Sequence, residues 1–429
     1  MLVDGEGRIA EVGPADDVTP PAGAEQIDLG GSALLPGLVN AHAHPDLALF
    51  RGALEDLAFP DWIAGLMRGY RRLSAPDDFG VAARWSVVEA LRAGITTLGA
   101  TEASGASLEA LRDLGLRGVV FHEVFGPDPK HAAAALAALR ERVERARGVA
   151  GDRVRVGISP HAPYTVSDAL YRGVAEYAGA ERLPVAVHIA ESAAERRLVA
   201  AGEGVFADRL RARGISVDAR APSPIALLDR LGLLGLGPLL IHCVDVGEED
   251  VRRIADCQCT VAHCPVANAR LGHGIAPLDL FREAGVRVGL GTDSAGSNNR
   301  MDMLEEARIA SILQRPRLRV PDALPPAEVL RMCTLDAAAC LGMEDEVGSI
   351  ESGKAADLCA VSLDAPHVRP VHDPLAAVVH AARGSDVRLT MVAGRILYRD
   401  GRLPGVDVEE LQGKMERAAD RLREREAAG

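Results

Sequence analysis

Residues 35–44 read LPGLVNAHAH, a proline and a glycine followed by a short apolar run and two histidines one residue apart. In a β-strand, side chains two residues apart point to the same side, so the sequence predicts that the imidazoles of His42 and His44 lie together where a buried strand ends. The residues that follow, Pro45 and Asp46, are unlike the glycine-rich turn after the first strand of a doubly wound open sheet. This stretch therefore favours a barrel over an open sheet.

Apolar segments of this kind recur along the chain and alternate with stretches of helical periodicity. The eight candidate strands lie at 34–44, 94–103, 117–126, 154–164, 184–192, 237–246, 259–268 and 286–294. Near-continuous apolar strands that alternate with helices are typical of a parallel sheet. Eight such units over about 250 residues predict an α/β fold of the (β/α)8 TIM-like barrel type. The doubly wound open sheet is the alternative.

The two ends of the chain have a different pattern. Residues 1–33 and 345–405 are β-like and rich in turn residues, and each segment alone is too small for a stable sheet. We expect them to form one composite β-sandwich domain beside the barrel, which takes up 34–344. Residues 406–429 are expected to form a charged C-terminal helix. The stretch 193–236 exceeds one crossover helix and is a candidate lid, because insertions after a barrel strand lie over the active face.

Charge and composition limit the classes of partner. The chain has 61 acidic and 48 basic residues, a formal net charge of −13, whereas a nucleic-acid surface would need the opposite balance. No apolar stretch approaches the ~20 residues that span a bilayer, and no signal peptide is visible at the start. The seven cysteines are odd in number and irregularly spaced. We expect a reduced, soluble, cytoplasmic protein that acts on a small molecule, with a homodimer as the common default.

Polar side chains recur at the predicted strand ends. His161, His188, His242 and Asp293 come from four different strands, and Glu191 follows His188 by three residues. In a barrel these ends meet at one rim. Histidines with an aspartate suit a divalent ion such as zinc and leave a position open for water, although iron and manganese accept the same ligands. The alternative, an unrelated structural polar group on each strand, would require four or five coincidences.

Other metal-like residues have simpler interpretations. Cys243, Cys257, Cys259 and Cys264 cluster in sequence, but their spacing is not that of a zinc site, and we expect small hydrophobic side chains instead. His263 is expected to be a packed strand histidine.

Six motifs carry a resemblance to a known family. They are PGLVNAHAH (36–44), SPHAPYTVS (159–167), HIAES (188–192), IHC (241–243), GTDSAGSNN (291–299) and GSIESGKAADLCAV (348–361). Together they resemble the amidohydrolase superfamily, in its branch of metal-dependent deaminases and chlorohydrolases. The resemblance is strongest to methylthioadenosine/S-adenosylhomocysteine deaminases and aminodeoxyfutalosine deaminases. It covers nearly the whole chain, is far more specific for the superfamily than for a substrate, and implies a barrel with a small β domain built from both termini.

The resemblance also implies roles for the polar strand ends. Carried over by motif, one metal ion would be bound by His42, His44, His188 and Asp293. Glu191 would be the proton shuttle, and His242 would lie beside the attacking water and the leaving group. The chemistry is sound, because a bound zinc lowers the pKa of its water toward 7. Addition to an aminated ring carbon needs protons delivered to the ring nitrogen and to the departing amine, which a tuned carboxyl can provide. Asp293 can accept the water proton while it remains a ligand.

The scarcity of lysine bears on the number of metal ions. Many members of the superfamily that hydrolyse amides and esters hold two metals bridged by a carboxylated lysine. The chain contains only Lys130, Lys354 and Lys414, and none of them falls on a predicted barrel strand. A single metal is therefore expected.

Four residues are candidate substrate contacts. Trp62 could stack on a flat ring or anchor its own loop, and His161 shares the catalytic rim. The third strand has His122 and Glu123 where the resemblance implies an arginine for the carboxylate of adenosylhomocysteine. The segment 68–74, RGYRRLS, likewise lacks the acid that the resemblance implies for the ribose hydroxyls. Adenosylhomocysteine itself is therefore not the expected substrate.

These observations lead to one main hypothesis and two alternatives. The main hypothesis is a metal-dependent hydrolytic deaminase of an aminated N-heterocycle, with an adenine nucleoside derivative such as aminodeoxyfutalosine, adenosine or methylthioadenosine as the expected substrate. The second is a deaminase of guanine, cytosine or a triazine, or a chlorohydrolase. The third is a non-catalytic scaffold on the same fold, which the complete set of metal ligands disfavours.

Overall fold

A computed structural model of the chain describes residues 1–73 and 77–427, with side chains described to residue 424. The last two residues of the predicted 406–429 helix lie outside the described part. The strands are β1 (Leu2–Val3), β2 (Ile9–Glu11), β3 (Ser32–Pro36), β4 (Leu38–His44), β5 (Ile95–Glu102), β6 (Arg117–Val124), β7 (Val154–Pro160), β8 (Ala186–Ile189), β9 (Leu239–His242), β10 (Thr260–His263), β11 (Val288–Leu290), β12 (Asp293–Ser294), β13 (Leu358–Ser362), β14 (Val387–Val392) and β15 (Arg395–Arg399).

The strands β4 to β12 form a ring of parallel strands. One sheet has the order β12-β4-β5-β6-β7 and the other has the order β11-β10-β9-β8. Since β11 and β12 are successive parts of one segment, they join the two sheets on one side. On the other side, a parallel bridge between Ile158 and Val185 joins β7 to β8. The prediction of a (β/α)8-type barrel is confirmed, and every residue of β5 and β6 is buried, as expected for strands covered on both faces.

The helices enclose this ring. They are α1 (Phe59–Arg72), α2 (Asp78–Arg92), α3 (Ala106–Leu114), α4 (Ala132–Arg147), α5 (Asp168–Glu181), α6 (Ala193–Ala201), α7 (Val205–Ala212), α8 (Pro224–Arg230), α9 (Glu248–Asp256), α10 (Pro265–Arg270), α11 (Leu278–Glu283), α12 (Met303–Leu318), α13 (Pro326–Met332), α14 (Leu335–Cys340), α15 (Pro374–His380) and α16 (Val408–Ala427). In the described part of the chain, no helix is both long and apolar enough to cross a membrane.

Both ends of the chain contribute to a small antiparallel sheet. Its order is β15-β14-β13-β3, so that Ser32–Pro36 pairs with Leu358–Ser362. The hairpin of β1 and β2 adds Ile9 to the apolar cluster under this sheet. A buried ion pair connects the sheet to the barrel, because Nε of Arg117 in β6 donates to Asp357 over 2.9 Å. The small sheet therefore requires residues that are more than 300 positions apart.

The insertion 193–236 folds into α6, α7 and α8 and packs against α1. Phe206 stacks on Tyr164 with ring centroids 4.4 Å apart and meets the edge of Phe59 at 6.0 Å. Arg209 donates to the carbonyl of Pro60 and to Asp61. The insertion therefore packs against α1 and helps to hold it in place.

Candidate metal centre

The polar residues predicted from the strand ends come together at one rim of the barrel. His42 and His44 lie on β4, His188 on β8, His242 at the end of β9 and Asp293 at the start of β12. The backbone of His242 has φ 77° and that of Asp293 has φ 59°. These left-handed conformations are uncommon for residues with a Cβ atom and concentrate at functional sites. Two of the five residues are therefore held in costly conformations.

The candidate ligand atoms lie within a few ångströms of one another. The Nε2 atoms of His44 and His188 are 3.2 Å apart. Oδ1 of Asp293 lies 3.4 Å from Nε2 of His42 and 3.6 Å from Nε2 of His44. His42 and Asp293 are buried, and His44 is nearly so. Three imidazole nitrogens and one carboxylate oxygen around a common point match the ligand set of a divalent metal.

Neighbouring groups fix which ring nitrogens are free. The Thr101 hydroxyl lies 3.4 Å from the Ala43 carbonyl, to which it donates, and accepts a hydrogen bond from Nδ1 of His42 over 2.9 Å. Nε2 of His42 is buried and has no hydrogen-bond partner among the described residues. Such a second partner orients a ligand histidine and leaves the other nitrogen to bind the metal.

The charge states also suit a metal. Burial, followed by the neighbouring His42, lowers the pKa of His44 to about 3, and burial lowers the pKa of His188 well below its usual value. Burial alone would raise the pKa of Asp293, but the rings of His42 and His242 outweigh it and the pKa falls. At neutral pH the site therefore holds neutral imidazoles and a carboxylate, the forms that coordinate a cation. The residues fit a divalent ion.

Glu191 lies between two histidines next to the candidate ligands. Its Oε1 is 3.6 Å from Nε2 of His242 and 3.3 Å from Nε2 of His273. The His242 ring is held by Asn268, whose Oδ1 accepts from Nδ1 over 3.0 Å. Burial raises the pKa of Glu191, but His242 and His273 reverse this and lower it. Glu191 is thus ionised and able to accept a proton.

His273 is a site residue that the sequence analysis missed. Its side chain is buried beside Glu191, and the residue lies in the loop after α10, outside any predicted strand. Its Nε2 has no hydrogen-bond partner within the described ranges, and its ring meets the edge of Phe59 at 4.5 Å. The strand-end pattern could not find a residue in a loop.

Three of the four predicted substrate contacts border a cavity at the candidate centre. Trp62, Glu123 and His161 line it, and two of them, Trp62 and His161, are also held by hydrogen bonds within the protein. Nε1 of Trp62 donates to the Gly296 carbonyl over 3.2 Å, and Nδ1 of His161 lies 2.7 Å from the Thr165 hydroxyl. Oε1 of Glu123 lies 3.9 Å from Nδ1 of His188. The position of Glu123 therefore suits orientation of His188.

His122, the fourth predicted contact, does not reach this cavity. Successive side chains of a strand point to opposite faces, so when Glu123 faces the barrel interior its neighbour faces the surrounding helices. His122 lies at the floor of another pocket, between α2, α3, α4 and α16. The structure therefore separates the two adjacent residues that the sequence analysis placed together.

A buried acidic group lies behind the centre. The Ser104 hydroxyl lies 2.7 Å from Oδ2 of Asp46 and 3.0 Å from Oε2 of Glu102. Burial, and then the charge of Glu102, raise the pKa of Asp46 to about 8, and burial raises the pKa of Glu102. This group was not predicted, because serine and carboxylates near strand ends are common on protein surfaces.

The roof of the cavity is apolar and comes mainly from α1. Its lining on this side consists of Phe59, Trp62, Ile63, Leu66, Met67 and Tyr70. Phe125 and Tyr164 continue the apolar wall. The predicted lid, 193–236, contributes no lining residue within the described chain and instead supports α1.

Comparison with known proteins agrees with the fold and the site. The model of the amidohydrolase family matches residues 33–397. This chain belongs to the amidohydrolase family, as the sequence motifs implied.

Three relatives illustrate the similarity. A 5-methylthioadenosine/S-adenosylhomocysteine deaminase of Desulforudis audaxviator is 36% identical over 97% of this chain and 93% of its own. A 5'-deoxyadenosine deaminase of Methanothermobacter thermautotrophicus is 32% identical over 97% of this chain and 93% of its own. The crystal structure of an adenosine deaminase from Xanthomonas campestris with bound zinc has a TM-score of 0.80 and 30% identity, and covers 92% of this chain and 86% of that one.

Proposed function

We propose that the protein is a metal-dependent hydrolytic deaminase of an adenine nucleoside derivative. The observation that carries the proposal is the convergence of His42, His44, His188 and Asp293, with Glu191 placed beside them and not among them. Such a set provides a metal site together with a separate group for proton transfer. The deaminase relatives support the same reaction class.

The chain's own residues divide the work of the reaction. A divalent ion held by the three histidines and Asp293 would supply a water nucleophile at neutral pH. The ionised carboxylate of Glu191 accepts one proton from the water and delivers it to the ring nitrogen next to the attacked carbon. Asp293 accepts the second proton from the added hydroxyl group, and this proton passes by way of Glu191 to the departing amine, which leaves as ammonia. His242 lies 3.6 Å from Glu191 and stabilises its charge.

We propose one zinc ion per chain. A second metal bridged by a carboxylated lysine would need a lysine on a barrel strand, and none of the strands β4 to β12 contains one. Imidazole and carboxylate ligands suit zinc, which is also bound in the Xanthomonas relative. Elemental analysis of the purified protein, and reloading of metal-free protein with zinc, iron or manganese, test both the number and the identity of the ion.

The lining of the cavity favours a nucleoside without charge on its 5' substituent. None of the described lining residues is a lysine or an arginine, so the lining offers no cationic side chain to pair with a carboxylate. The 5' substituent would instead lie against the apolar residues of α1. We therefore place 5'-deoxyadenosine and methylthioadenosine ahead of adenosylhomocysteine and aminodeoxyfutalosine, both of which carry a carboxylate.

Binding requires α1 to move. The cavity has a volume of about 90 Å³, below the roughly 300 Å³ of a typical small-molecule site. The barrel strands below the cavity are fixed by backbone hydrogen bonds to one another, whereas α1 is held by side-chain contacts to the insertion 193–236. Displacement of this helix is the opening that the packing permits.

An ammonia-release assay over a substrate panel tests the proposal. The panel contains 5'-deoxyadenosine, methylthioadenosine, adenosine, adenosylhomocysteine, aminodeoxyfutalosine, guanine, cytosine and a chlorinated triazine, the last also followed by chloride release. We expect the highest kcat/KM with the uncharged 5'-modified adenosines and no release by chelated, metal-free protein. Activity on the free bases or the triazine alone would reject the nucleoside assignment, and metal-independent activity would reject the mechanism.

We also propose that the protein works in the reducing environment of the cytoplasm. Its seven cysteines form no disulfide, and six of them are buried. Thiols in this state are typical of a reducing compartment. Fractionation of the native cells with an antibody to the protein tests this localisation.

A further inference from the structure

A second pocket lies on the outer side of the barrel, away from the candidate metal centre. It is formed between α2, α3, α4 and the C-terminal helix α16, and has a volume of about 860 Å³. Six of its lining residues are basic: Arg84, Arg142, Arg145, Lys414, Arg417 and Arg421. Among the described lining residues, Asp77 and Glu109 are the acidic ones. Basic side chains thus outnumber acidic ones in the lining by four, although the chain as a whole has a net charge of −13.

The basic residues of this pocket differ in whether they already form an ion pair with an acidic side chain. Arg84 is paired with Asp113 over 2.6 Å, Lys414 with Glu410 over 2.7 Å, and Arg421 with Asp78. Arg145 and Arg417, in contrast, have no ion-pair partner among the described residues and are exposed on α4 and α16. These two helices lie on either side of the pocket, so the two uncommitted guanidinium groups belong to opposite walls.

The floor of the pocket contains polar atoms without partners. His122 is only 2% exposed, and neither of its ring nitrogens has a hydrogen-bond partner in the described part of the protein. Its closest acid, Glu102, is 4.0 Å away. Nε of Arg142 is also buried and without a partner among the described residues. A buried histidine without hydrogen bonds is costly, and its presence under a basic pocket is explained if a ligand completes the site.

We propose that this pocket binds a small phosphate-bearing anion. Planar guanidinium groups on two walls match the oxygens of a phosphate, with which arginine forms paired, charge-assisted hydrogen bonds. A carboxylate offers fewer acceptor atoms for as many donors. The volume accepts a phosphate ester as well as inorganic phosphate. This site is distinct from the proposed deaminase centre, and its occupancy does not depend on the reaction assigned there.

Arg142 connects the pocket to the barrel rim. Its Nη2 donates to the backbone carbonyl of Glu123 over 2.5 Å, while its Nε lies unpartnered. The side chain of Glu123 borders the cavity at the metal centre. An anion that binds Arg142 would therefore also affect the end of β6, through the hydrogen bond between Arg142 and the Glu123 carbonyl.

Calorimetric titration of the metal-loaded, full-length protein tests the site. The probes are inorganic phosphate and glycerol 3-phosphate, with ionic strength held constant by sodium chloride. The test variant is the double substitution Arg145→Gln and Arg417→Gln, which removes two exposed, unpaired charges. The control, Arg172→Gln with Arg213→Gln, removes the same charge from exposed positions on α5 and directly after α7. Thermal melting confirms that both variants fold.

We expect one anion per chain in the native protein and in the control. In the test variant we expect the Kd to rise at least about tenfold, because charge-assisted hydrogen bonds are lost. The control should stay within about twofold, since distant exposed charges are screened. Absence of binding of both probes by the native protein overturns the proposal. So does binding that survives unchanged in the test variant, which would place the anion at the metal centre.

Discussion

Nε2 of His273 lies 3.3 Å from Oε1 of Glu191, so the proposed proton shuttle has a partner from a loop far from its own strand. The ring of His273 is in turn fixed by its edge contact with Phe59 of α1. The roof of the cavity and the proton shuttle are therefore connected through a single imidazole. If α1 moves when substrate enters, the orientation of Glu191 changes with it.

Replacement of His273 by glutamine should change turnover and its pH dependence. The His273 ring lowers the pKa of Glu191, so without it that pKa rises and the acidic limb of the kcat profile moves to higher pH. Loss of this 3.3 Å electrostatic contact with the catalytic carboxylate should lower kcat by about 10–100-fold. His131→Gln, at an exposed position, is the control. An unshifted pH profile would show that His273 only packs.

Glu191→Gln should separate chemistry from metal binding. The amide keeps the shape of the side chain but carries no proton, so we expect native metal content and turnover lower by roughly 10²–10⁴. Glu176→Gln, on the exposed face of α5, serves as the control. Metal analysis, a melting curve and an ammonia-release assay measure the result. Near-native turnover with intact metal would move the proton-transfer role to His242 and Asp293.

His188→Ala should remove metal and activity together. The ring supplies one of the three imidazole nitrogens and lies 3.2 Å from His44, so its loss leaves an incomplete ligand set. We expect about one metal per chain in the native protein and strongly reduced metal in the variant. Two tightly bound metals per native chain would contradict a mononuclear site.

The metal-free protein should lose stability as the pH falls. Burial, and then His242, lower the pKa of His263 to about 3 in the folded chain, whereas an unfolded histidine titrates near its ordinary value. The unfolded state binds the proton first, so the stabilisation is complete above that ordinary value and declines toward the folded pKa. About one pH unit below the ordinary value, each such histidine costs about 1.4 kcal/mol.

Urea denaturation of His263→Gln at several pH values measures this contribution. The variant should show a shallower loss of unfolding free energy with falling pH than the native chain, whatever its stability at neutral pH. Equal slopes in the two proteins would mean that His263 takes up its proton without unfolding.

The barrel and the meeting of the strand-end histidines could be predicted because the underlying patterns are local. His42 and His44 share one strand, and parallel strands bring their carboxyl ends to one rim. The same local rule, alternation along a strand, shows why His122 and Glu123 do not face the same cavity. Adjacency in sequence does not place two strand residues in one site, because the alternation along the strand sends them to opposite faces.

The rest of the site depends on contacts that no local pattern encodes. His273 reaches Glu191 from a loop, and Ser104 joins Asp46 to Glu102 from the turn before α3. The roof comes from α1, which follows the first barrel strand, and not from the long insertion that its length suggested. Each of these depends on the distance between elements after packing, which the sequence of a single chain does not contain.

The position of Lys414 has a practical consequence for labelling the protein. Besides the terminal amine, only three side chains react with amine-directed reagents, and the ammonium group of Lys354 is already bound to the Ser349 hydroxyl over 2.7 Å. Lys130 and Lys414 are both exposed, and only Lys414 borders the basic pocket. An amine-reactive fluorophore therefore labels very few positions. A fluorophore on Lys414 should change its emission when an anion binds in the basic pocket.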